Sequence, residues 1–108
     1  MSGSETLKEI TESGLDAFIG QPLAVLLFTS PWCSACKKMY PALASLSGKL
    51  NKRDCIGVLD ISRSPSASSR MQVFSVPTVI VFRAGREVNR FKGAVSEAAI
   101  SRVLEEAP

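Results

Sequence analysis

The sequence has 108 residues, of which 45% are hydrophobic and 21% are charged, and its formal net charge is +3. This length fits one domain with a core of its own, and the composition excludes an intrinsically disordered chain. Histidine is absent, which excludes histidine-dependent triads, Cys–His nucleophile pairs and histidine-bearing metal sites. We predict a single domain over residues 1–108, with residues 1–5 as a flexible tail.

The charge and hydropathy patterns also limit the possible partners. Basic residues are interleaved with acidic and apolar residues, as in 83–92, so we expect a solvated surface and no nucleic-acid partner. No stretch reaches the roughly 20 apolar residues of a membrane span, and the N-terminus lacks the basic and apolar regions of a signal peptide. We therefore expect a cytoplasmic location with no membrane partner, unless a leader has been removed. We also expect a monomer.

The first two predicted elements are a short helix and a buried strand. Within residues 11–19, Leu15, Phe18 and Ile19 share one helical face. The run LAVLLF, residues 23–28, has no polar break. Such a run indicates a strand that is buried on both faces, as in a sheet covered by helices on each side.

A longer helix is predicted from about Cys33. Its apolar residues recur at threes and fours along one stripe, which consists of Cys36, Met39, Leu43, Leu46 and Leu50. Pro41 lies inside this helix and should kink it, because proline has no N–H to donate to the carbonyl four residues earlier.

The third helix is less clearly marked than the strand before it. CIGVLDI, residues 55–61, predicts a second buried strand. Ser64 and Pro65 have the pattern of an N-cap followed by proline at the first helical position, which favours a short helix within residues 62–72. A flexible loop is the alternative for this serine-rich segment.

The C-terminal part predicts a hairpin and a final helix. TVIVF, residues 78–82, indicates a third buried strand, and Gly85 marks a turn into an antiparallel edge strand. Ser96 caps a last helix whose apolar face contains Ala99, Ile100, Val103 and Leu104. Helices thus alternate with strands, which predicts an α/β domain with a central mixed sheet flanked by helices.

Two of the three cysteines, Cys33 and Cys36, are separated by two residues, and the third is Cys55. A pair at this spacing can hold a metal, close a structural disulfide or exchange electrons with another protein. Zinc needs three or four protein ligands, which this cysteine set does not supply convincingly, so we expect no metal. Cys55 is interpreted as a small core residue, with a regulatory or dimer-forming thiol as the alternative.

The strand–turn–helix order assigns different chemistry to the two paired cysteines. Cys33 falls at a helix N-terminus, where unpaired N–H groups favour a thiolate, and Lys37 and Lys38 add a weaker push. Cys33 should therefore be the nucleophile. Cys36 lies on the apolar stripe and should be the more buried, resolving thiol. The alternative of two ordinary core cysteines is weak, because Cys33 lies off the stripe beside Trp32.

Two segments resemble the thioredoxin family. PWCSACKKMYP is similar to the family's active-site segment, including the later helix proline. VFSVPTVIVFRAGREVNRFKGAVSEAAISRVL is similar to its C-terminal half, and the likeness runs through roughly residues 15–107. The resemblance implies a thioredoxin-like fold and a protein-disulfide reductase with Cys33 and Cys36 as its redox-active disulfide. Its implied partners are disulfide-bearing target proteins and an upstream reductase, for which thioredoxin reductase is one candidate.

The resemblance also implies a substrate groove beside the cysteines. Val76–Pro77 should be a cis peptide bond facing them, although a trans proline that opens the next strand is the ordinary alternative. Trp32, Val76, Pro77 and Gly93 should border the groove, and half-buried packing is the structural alternative for Trp32. The chain carries no GxGxxG fingerprint, so we expect no cofactor.

The sequence departs from the family pattern at several positions. The family's familiar Gly-Pro between the cysteines is Ser34-Ala35 here, without the histidine of many oxidant and isomerase relatives. Leu27 stands where many thioredoxins have a buried aspartate, and Val58 where a lysine often accompanies it. Asp60 partly replaces that acid or simply faces solvent, and the pH dependence of turnover in Asp60→Asn distinguishes the two.

These departures keep two further functions open. A redox-inactive binding or adaptor module is consistent with the loss of the buried charges but not with the intact cysteine pair. A disulfide oxidase or isomerase would need an oxidising compartment. Turnover in the presence of a reductant distinguishes a reductase from an adaptor module. The reduction potential of the cysteine pair distinguishes a reductase from an oxidase or isomerase.

Overall fold

The structure is a computed structural model, and it describes residues 7–50 and 55–106. The predicted flexible tail, residues 1–5, lies outside this part of the chain. The elements follow in chain order: β1 (Lys8–Glu9), a 3-10 turn (Glu12–Gly14), α1 (Leu15–Ile19), β2 (Ala24–Thr29), α2 (Ser34–Lys37), α3 (Met39–Lys49), β3 (Ile56–Asp60), α4 (Pro65–Arg70), β4 (Thr78–Arg83), β5 (Arg86–Lys92) and α5 (Glu97–Glu105).

The described strands form one mixed sheet in the order β1-β3-β2-β4-β5. Strands β1, β3 and β2 are parallel, whereas β4 is antiparallel to both β2 and β5. Every residue of β2 is buried, and so is every residue of β4 except Arg83. The predicted α/β fold with a central mixed sheet is confirmed, and the uninterrupted apolar runs occupy its two most buried strands.

A separate hydrophobic core covers each face of the sheet. One core joins α1 and α4 to Leu26, Phe28, Ile80 and Phe82. The other joins α3 and α5 to Val25, Leu27, Val79 and Val81. Neighbouring residues of β2 and β4 thus alternate between the two cores, because successive side chains of a strand point to opposite faces. The result is a three-layer helix–sheet–helix arrangement.

The long helix after the first buried strand is interrupted as predicted. Helix α2 ends at Lys37, α3 begins at Met39, and Lys38 separates them. Pro41 supplies no N–H to the carbonyl of Lys37, so the hydrogen-bond ladder is broken at this point. Four of the five predicted stripe residues are buried, and Leu50 is partly buried.

The sequence prediction lacked strand β1. This strand has only two residues, Lys8 and Glu9, both exposed, so it has neither length nor apolar alternation to mark it. It pairs with β3, where Lys8 is opposite Gly57. A Cβ at Gly57 would lie 2.7 Å from Cγ1 of Ile10 and 3.0 Å from the carbonyl oxygen of Lys8. Because Gly57 has no Cβ, β1 can approach and pair with β3.

The C-terminal elements follow the predictions closely. Helix α4 has Pro65 at its first turn, but the Ser64 side chain makes no capping hydrogen bond. The β4–β5 turn has Ala84 and Gly85 at positive φ, a conformation that suits a two-residue hairpin. Ser96 caps α5 by accepting a hydrogen bond from the backbone N–H of Ala99.

Candidate redox site

Loops from separate parts of the chain meet at one end of the sheet. Phe28, near the end of β2, is opposite Thr78, the first residue of β4. Thr78 is in turn opposite Lys92, the last residue of β5. Thr29, Thr78 and Lys92 therefore mark a common boundary, which we call the redox edge. The segments that bear the cysteines, the Val76–Pro77 bond and Gly93 all adjoin it.

Cys33 and Cys36 form a disulfide at the redox edge. Cys33 is the N-cap residue of α2, and its sulfur accepts a hydrogen bond from the backbone N–H of Cys36 at 3.1 Å. Cys33 is partly exposed, whereas Cys36 is only 1% exposed. The predicted difference in burial between the two cysteines is confirmed, so Cys33 is the more accessible of the two.

The sheet is apolar at Leu27 and Val58, the two positions where the family resemblance led us to expect charge. Leu27 is fully buried and is opposite Val58 in β3 and Val79 in β4. All three residues belong to or pack against the core beneath α3 and α5. A charge here would be costly because neither Val58 nor Val79 can form a hydrogen bond through its side chain.

The Val76–Pro77 peptide bond is cis, as the family resemblance implied. The carbonyl of Pro77 accepts a hydrogen bond from the N–H of Gly93 at 2.8 Å. Gly93 has φ of +88°, which side-chain-bearing residues rarely adopt. This hydrogen bond joins two of the predicted groove residues directly, and both adjoin the redox edge.

The remaining predicted groove residues differ in exposure. Val76 is partly buried against the core beneath α1 and α4, and Pro77 is buried. Trp32 is 79% exposed, so the alternative of half-buried packing is wrong for this residue. A large apolar ring in water next to Cys33 is unusual, because its burial is worth more than that of most other side chains.

Asp60 ends β3 at the same end of the sheet, where it is opposite Thr29. Its Oδ1 accepts hydrogen bonds from the backbone N–H of Ser62 at 2.9 Å and from the Ser62 hydroxyl at 2.6 Å. Asp60 also lines a pocket of about 460 Å³ together with Thr29, Pro31 and Val58. Its part in proton transfer stays a prediction, because a turn-forming role accounts for the two hydrogen bonds.

Two residues at or near this site were not predicted from the sequence. Phe74, three residues before Pro77, is 88% exposed. Arg90 of β5 donates hydrogen bonds to the carbonyls of Met71 and Gln72 at 2.8 and 2.9 Å. An aromatic residue directly before Ser-Val-Pro was the available signal for Phe74. Nothing in the sequence marks which arginine reaches backbone carbonyls.

Arg90 also forms a bidentate ion pair with Glu87, through Nε and one terminal nitrogen at 2.9 Å each. Hydrogen bonding from Arg90 lowers the pKa of the Glu87 carboxyl, and partial burial opposes this effect. The same hydrogen bonding raises the pKa of Arg90. The pair holds the guanidinium in place between β5 and the segment that leads to Val76.

Cys55 lies away from this cluster. It is 1% exposed and belongs to the core beneath α3 and α5. It precedes β3 instead of opening it, because the strand begins at Ile56. The structure thus agrees with its interpretation as a core residue.

No helix within residues 7–50 and 55–106 is long and apolar enough to cross a bilayer.

A disulfide between a partly exposed and a buried cysteine, with an N–H donated to the sulfur of the more exposed one, defines a thiol–disulfide oxidoreductase. Comparison with known proteins gives the family. The thioredoxin family model matches residues 6–106. A thioredoxin of Staphylococcus haemolyticus is 31% identical over 97 residues, which cover 90% of this chain and 93% of that protein. A thioredoxin of Staphylococcus aureus is 28% identical over the same length.

Solved structures agree on the fold. The oxidised mitochondrial thioredoxin 3 of Saccharomyces cerevisiae superposes with a TM-score of 0.86 at 21% identity, covering 98% of this chain and all of that one. A mutant thioredoxin of Halobacterium salinarum gives 0.83 at 20% identity, covering 97% of this chain and 93% of that one. The chain belongs to the thioredoxin family, and its CxxC pair makes it a protein-disulfide reductase of that type.

Proposed function

We propose that the chain reduces target-protein disulfides with Cys33 as the nucleophile and Cys36 as the resolving thiol. The Cys33 thiolate attacks one target sulfur, so a mixed disulfide forms and the other target sulfur leaves as a thiolate. Cys36 then loses its proton and attacks the sulfur of Cys33. This step closes the Cys33–Cys36 disulfide and releases the target dithiol. Two electrons have passed to the target, and an upstream reductase must return them.

The observation that carries these roles is the hydrogen bond from the Cys36 N–H to the Cys33 sulfur at 3.1 Å. A donor aimed at this sulfur stabilises it as a thiolate once the disulfide is reduced. Cys36 has no comparable exposure to a protein-sized substrate, since it is 1% exposed. Attack by Cys33 and resolution by Cys36 is the order that this difference supports.

The target polypeptide would lie in a groove bordered by Trp32, Val76, Pro77 and Gly93. Support comes from the hydrogen bond of the Gly93 N–H to the Pro77 carbonyl, which joins two of these four residues directly. The backbone of Val76 would pair with an extended target segment, because proline at the next position offers no competing N–H. Trp32 would cover the apolar side chains next to the target disulfide.

The setting we propose is a monomer in the cytoplasm, formed as one domain over residues 1–108. The family match over residues 6–106 supports the single domain. A reducing cytosol supports a cysteine pair that must return to the dithiol state after each cycle. A thioredoxin reductase is the proposed electron donor, and disulfide-bearing proteins are the proposed targets.

The reduction potential of the Cys33–Cys36 pair, followed through Trp32 fluorescence in graded dithiol buffers, tests the proposed direction of electron flow. We expect a value near that of thioredoxin, about −270 mV, in spite of Ser34-Ala35 and Leu27. A value near that of protein disulfide isomerase, about −180 mV, would instead indicate an oxidase or isomerase.

Turnover gives a second, independent test. With dithiothreitol as electron donor, the chain should accelerate reduction of a disulfide-bearing protein over the rate with dithiothreitol alone. Cys33→Ser serves as the matched control, since it keeps the fold and removes the nucleophile. Equal rates for the two proteins would indicate a redox-inactive adaptor module.

A further inference from the structure

Two exposed aromatic side chains adjoin the redox edge, and the function described above uses only one of them. In residues 7–50 and 55–106, the exposed large apolar side chains are Trp32 at 79%, Phe74 at 88% and Val88 at 47%. Trp32 precedes Cys33, and Phe74 precedes the Val76–Pro77 bond. Both therefore belong to the loops that meet where Phe28 is opposite Thr78.

The segment that carries Phe74 is held on its N-terminal side. The guanidinium of Arg90 donates to the carbonyls of Met71 and Gln72 at 2.8 and 2.9 Å. The Glu87 carboxylate holds the same guanidinium from the other side. Charge-assisted hydrogen bonds of this kind are stronger than neutral ones, so the start of the Phe74 segment is fixed to β5.

The same segment is held on its C-terminal side. The Thr78 hydroxyl donates a hydrogen bond to the carbonyl of Ser75 at 2.8 Å, and the N–H of Gly93 donates to Pro77 at 2.8 Å. The backbone around Phe74 is thus anchored before and after the ring, while the ring itself stays in water. When a partner covers a ring on an anchored backbone, only side-chain freedom is lost, and aromatic side chains of this kind are frequent in binding hot spots.

Charge at the redox edge indicates what kind of partner would cover the rings. Lys37, Lys38 and Lys92 are exposed, and within residues 7–50 and 55–106 none of them forms an ion pair. Asp60 is the carboxylate at the β3 end of the edge; its two hydrogen bonds come from the neutral Ser62, and the three lysines outnumber it. The unpaired lysines favour an acidic partner.

Building on the proposed reductase function, we propose that Phe74 and Trp32 form an aromatic docking surface that selects acidic target proteins with an apolar side chain beside the reducible disulfide. Phe74 acts here as a specificity residue, since its ring contacts the target polypeptide and takes no part in electron transfer. The lysines increase the rate of encounter with the acidic segment, and the two rings hold its apolar side chain.

Two synthetic peptides with the same intramolecular disulfide test this proposal. One has Leu and Asp residues beside the disulfide, and the other has Ser and Gln at the same positions. For Phe74→Ala, we expect the KM of the Leu/Asp peptide to rise about tenfold with kcat unchanged, as for loss of a binding hot spot. The KM of the Ser/Gln peptide should change less than about twofold.

Val88→Ala is the matched control, because it removes an exposed apolar side chain from β5 outside the two loops. It should leave both peptides unaffected. Lys92→Gln tests the charge component. It should lower kcat/KM for the Leu/Asp peptide several-fold at low ionic strength, and the effect should vanish near 1 M salt, where the Debye length is about 3 Å.

The proposal is overturned if Phe74→Ala leaves the KM of the Leu/Asp peptide unchanged, or raises both KM values equally. It is also overturned if sedimentation shows a wild-type dimer that Phe74→Ala dissociates, because the rings would then contact a second copy of the chain. Failure of the wild type to turn over either peptide, or hydroxyethyl disulfide, would reject the reductase function instead. Docking would then be judged from binding of the two peptides, measured through Trp32 fluorescence.

Discussion

A glycine with positive φ lies near each end of β4, and the two glycines have different structural roles. At the Arg83 end, Gly85 has φ of +85° and closes the hairpin into β5. At the Thr78 end, Gly93 has φ of +88° and donates its N–H to Pro77. Open space surrounds the Cβ position at both glycines. The first glycine makes a turn, whereas the second holds the carbonyl of Pro77 next to the cis peptide bond.

This difference shows where the fold concentrates its functional groups. The hairpin end contains a two-residue turn with exposed polar neighbours. The redox edge contains the disulfide, the cis bond and the two exposed aromatic rings. Changes at the redox edge should therefore alter turnover or KM, and equivalent changes at the hairpin end should alter only stability.

The largest expected effect comes from Cys33→Ser. Because the attacking sulfur is lost, protein-disulfide reduction should fall by about a thousandfold or more. Cys36→Ser should instead accumulate the mixed disulfide with the target, visible on non-reducing gels. Cys55→Ala is the control thiol and should retain turnover. Substantial activity in Cys33→Ser would reject the assignment of the nucleophile.

The next largest effect is expected from Leu27→Asp. Leu27 is fully buried opposite Val58 and Val79, so the new carboxyl would have no side-chain partner at these neighbouring positions. We expect a loss of about 3 to 5 kcal/mol in the free energy of unfolding, measured in urea. Leu27→Met should lose less than about 1.5 kcal/mol. Equal stability of the two variants would contradict an apolar environment here.

Gly93→Ala and Gly85→Ala compare the two ends of β4 directly. Both place a Cβ at positive φ, so each should destabilise the fold by about 1 kcal/mol. Only Gly93→Ala should also raise the KM for protein disulfides, because it disturbs the hydrogen bond to Pro77. Thermal unfolding and steady-state kinetics measure the two effects. An equal KM increase in both variants would remove the functional distinction between the two ends.

An effect of similar size is expected from Arg90→Met. This change leaves the carbonyls of Met71 and Gln72 without their donor, so it should destabilise the fold by about 1 to 2 kcal/mol. It should also raise the KM, because the Phe74 segment loses its anchor to β5. If KM stays at the wild-type value, Arg90 is a stability residue and does not position the groove.

The smallest effect concerns acid sensitivity. The folded protein lowers the pKa of Glu87 below its ordinary value of 4.5, chiefly through hydrogen bonding to Arg90. The stability from this carboxylate is therefore complete above pH 4.5 and is lost as the pH falls through the lower, folded-state pKa. For this largely solvent-screened pair, Glu87→Gln should cost about 0.5 kcal/mol at neutral pH and flatten the acid dependence of unfolding.

The sequence predicted the buried elements and the cysteine pair more successfully than the exposed parts of the site. Strands β2 and β4 could be predicted because the segments LAVLLF and TVIVF have no polar break. Strand β1 was not readable from Lys8 and Glu9, and Gly57, the residue that admits it, lies almost fifty positions later. Pairing between distant segments leaves little trace in local composition.

Within the site, the positions of Cys33 and Cys36 followed from local spacing, and the family resemblance supplied Val76–Pro77. Phe74 was missed because an apolar side chain is by default assigned to the core. The segment that carries it is held by Arg90, sixteen residues later in the chain, and by the Gly93 hydrogen bond to Pro77. Such tertiary anchors are set by three-dimensional packing, which periodicity does not report.

The outer strands of the sheet have a consequence for assembly. An unpaired strand edge is a template on which another polypeptide can add a strand and begin to aggregate. Strand β1 has only two residues, both charged, and β5 carries the sequence REVNRFK with an irregularity in its pairing near Val81 and Phe82. Charge and irregular pairing at these margins discourage edge-to-edge growth. The margins of the sheet are thereby protected against adding a strand from another polypeptide.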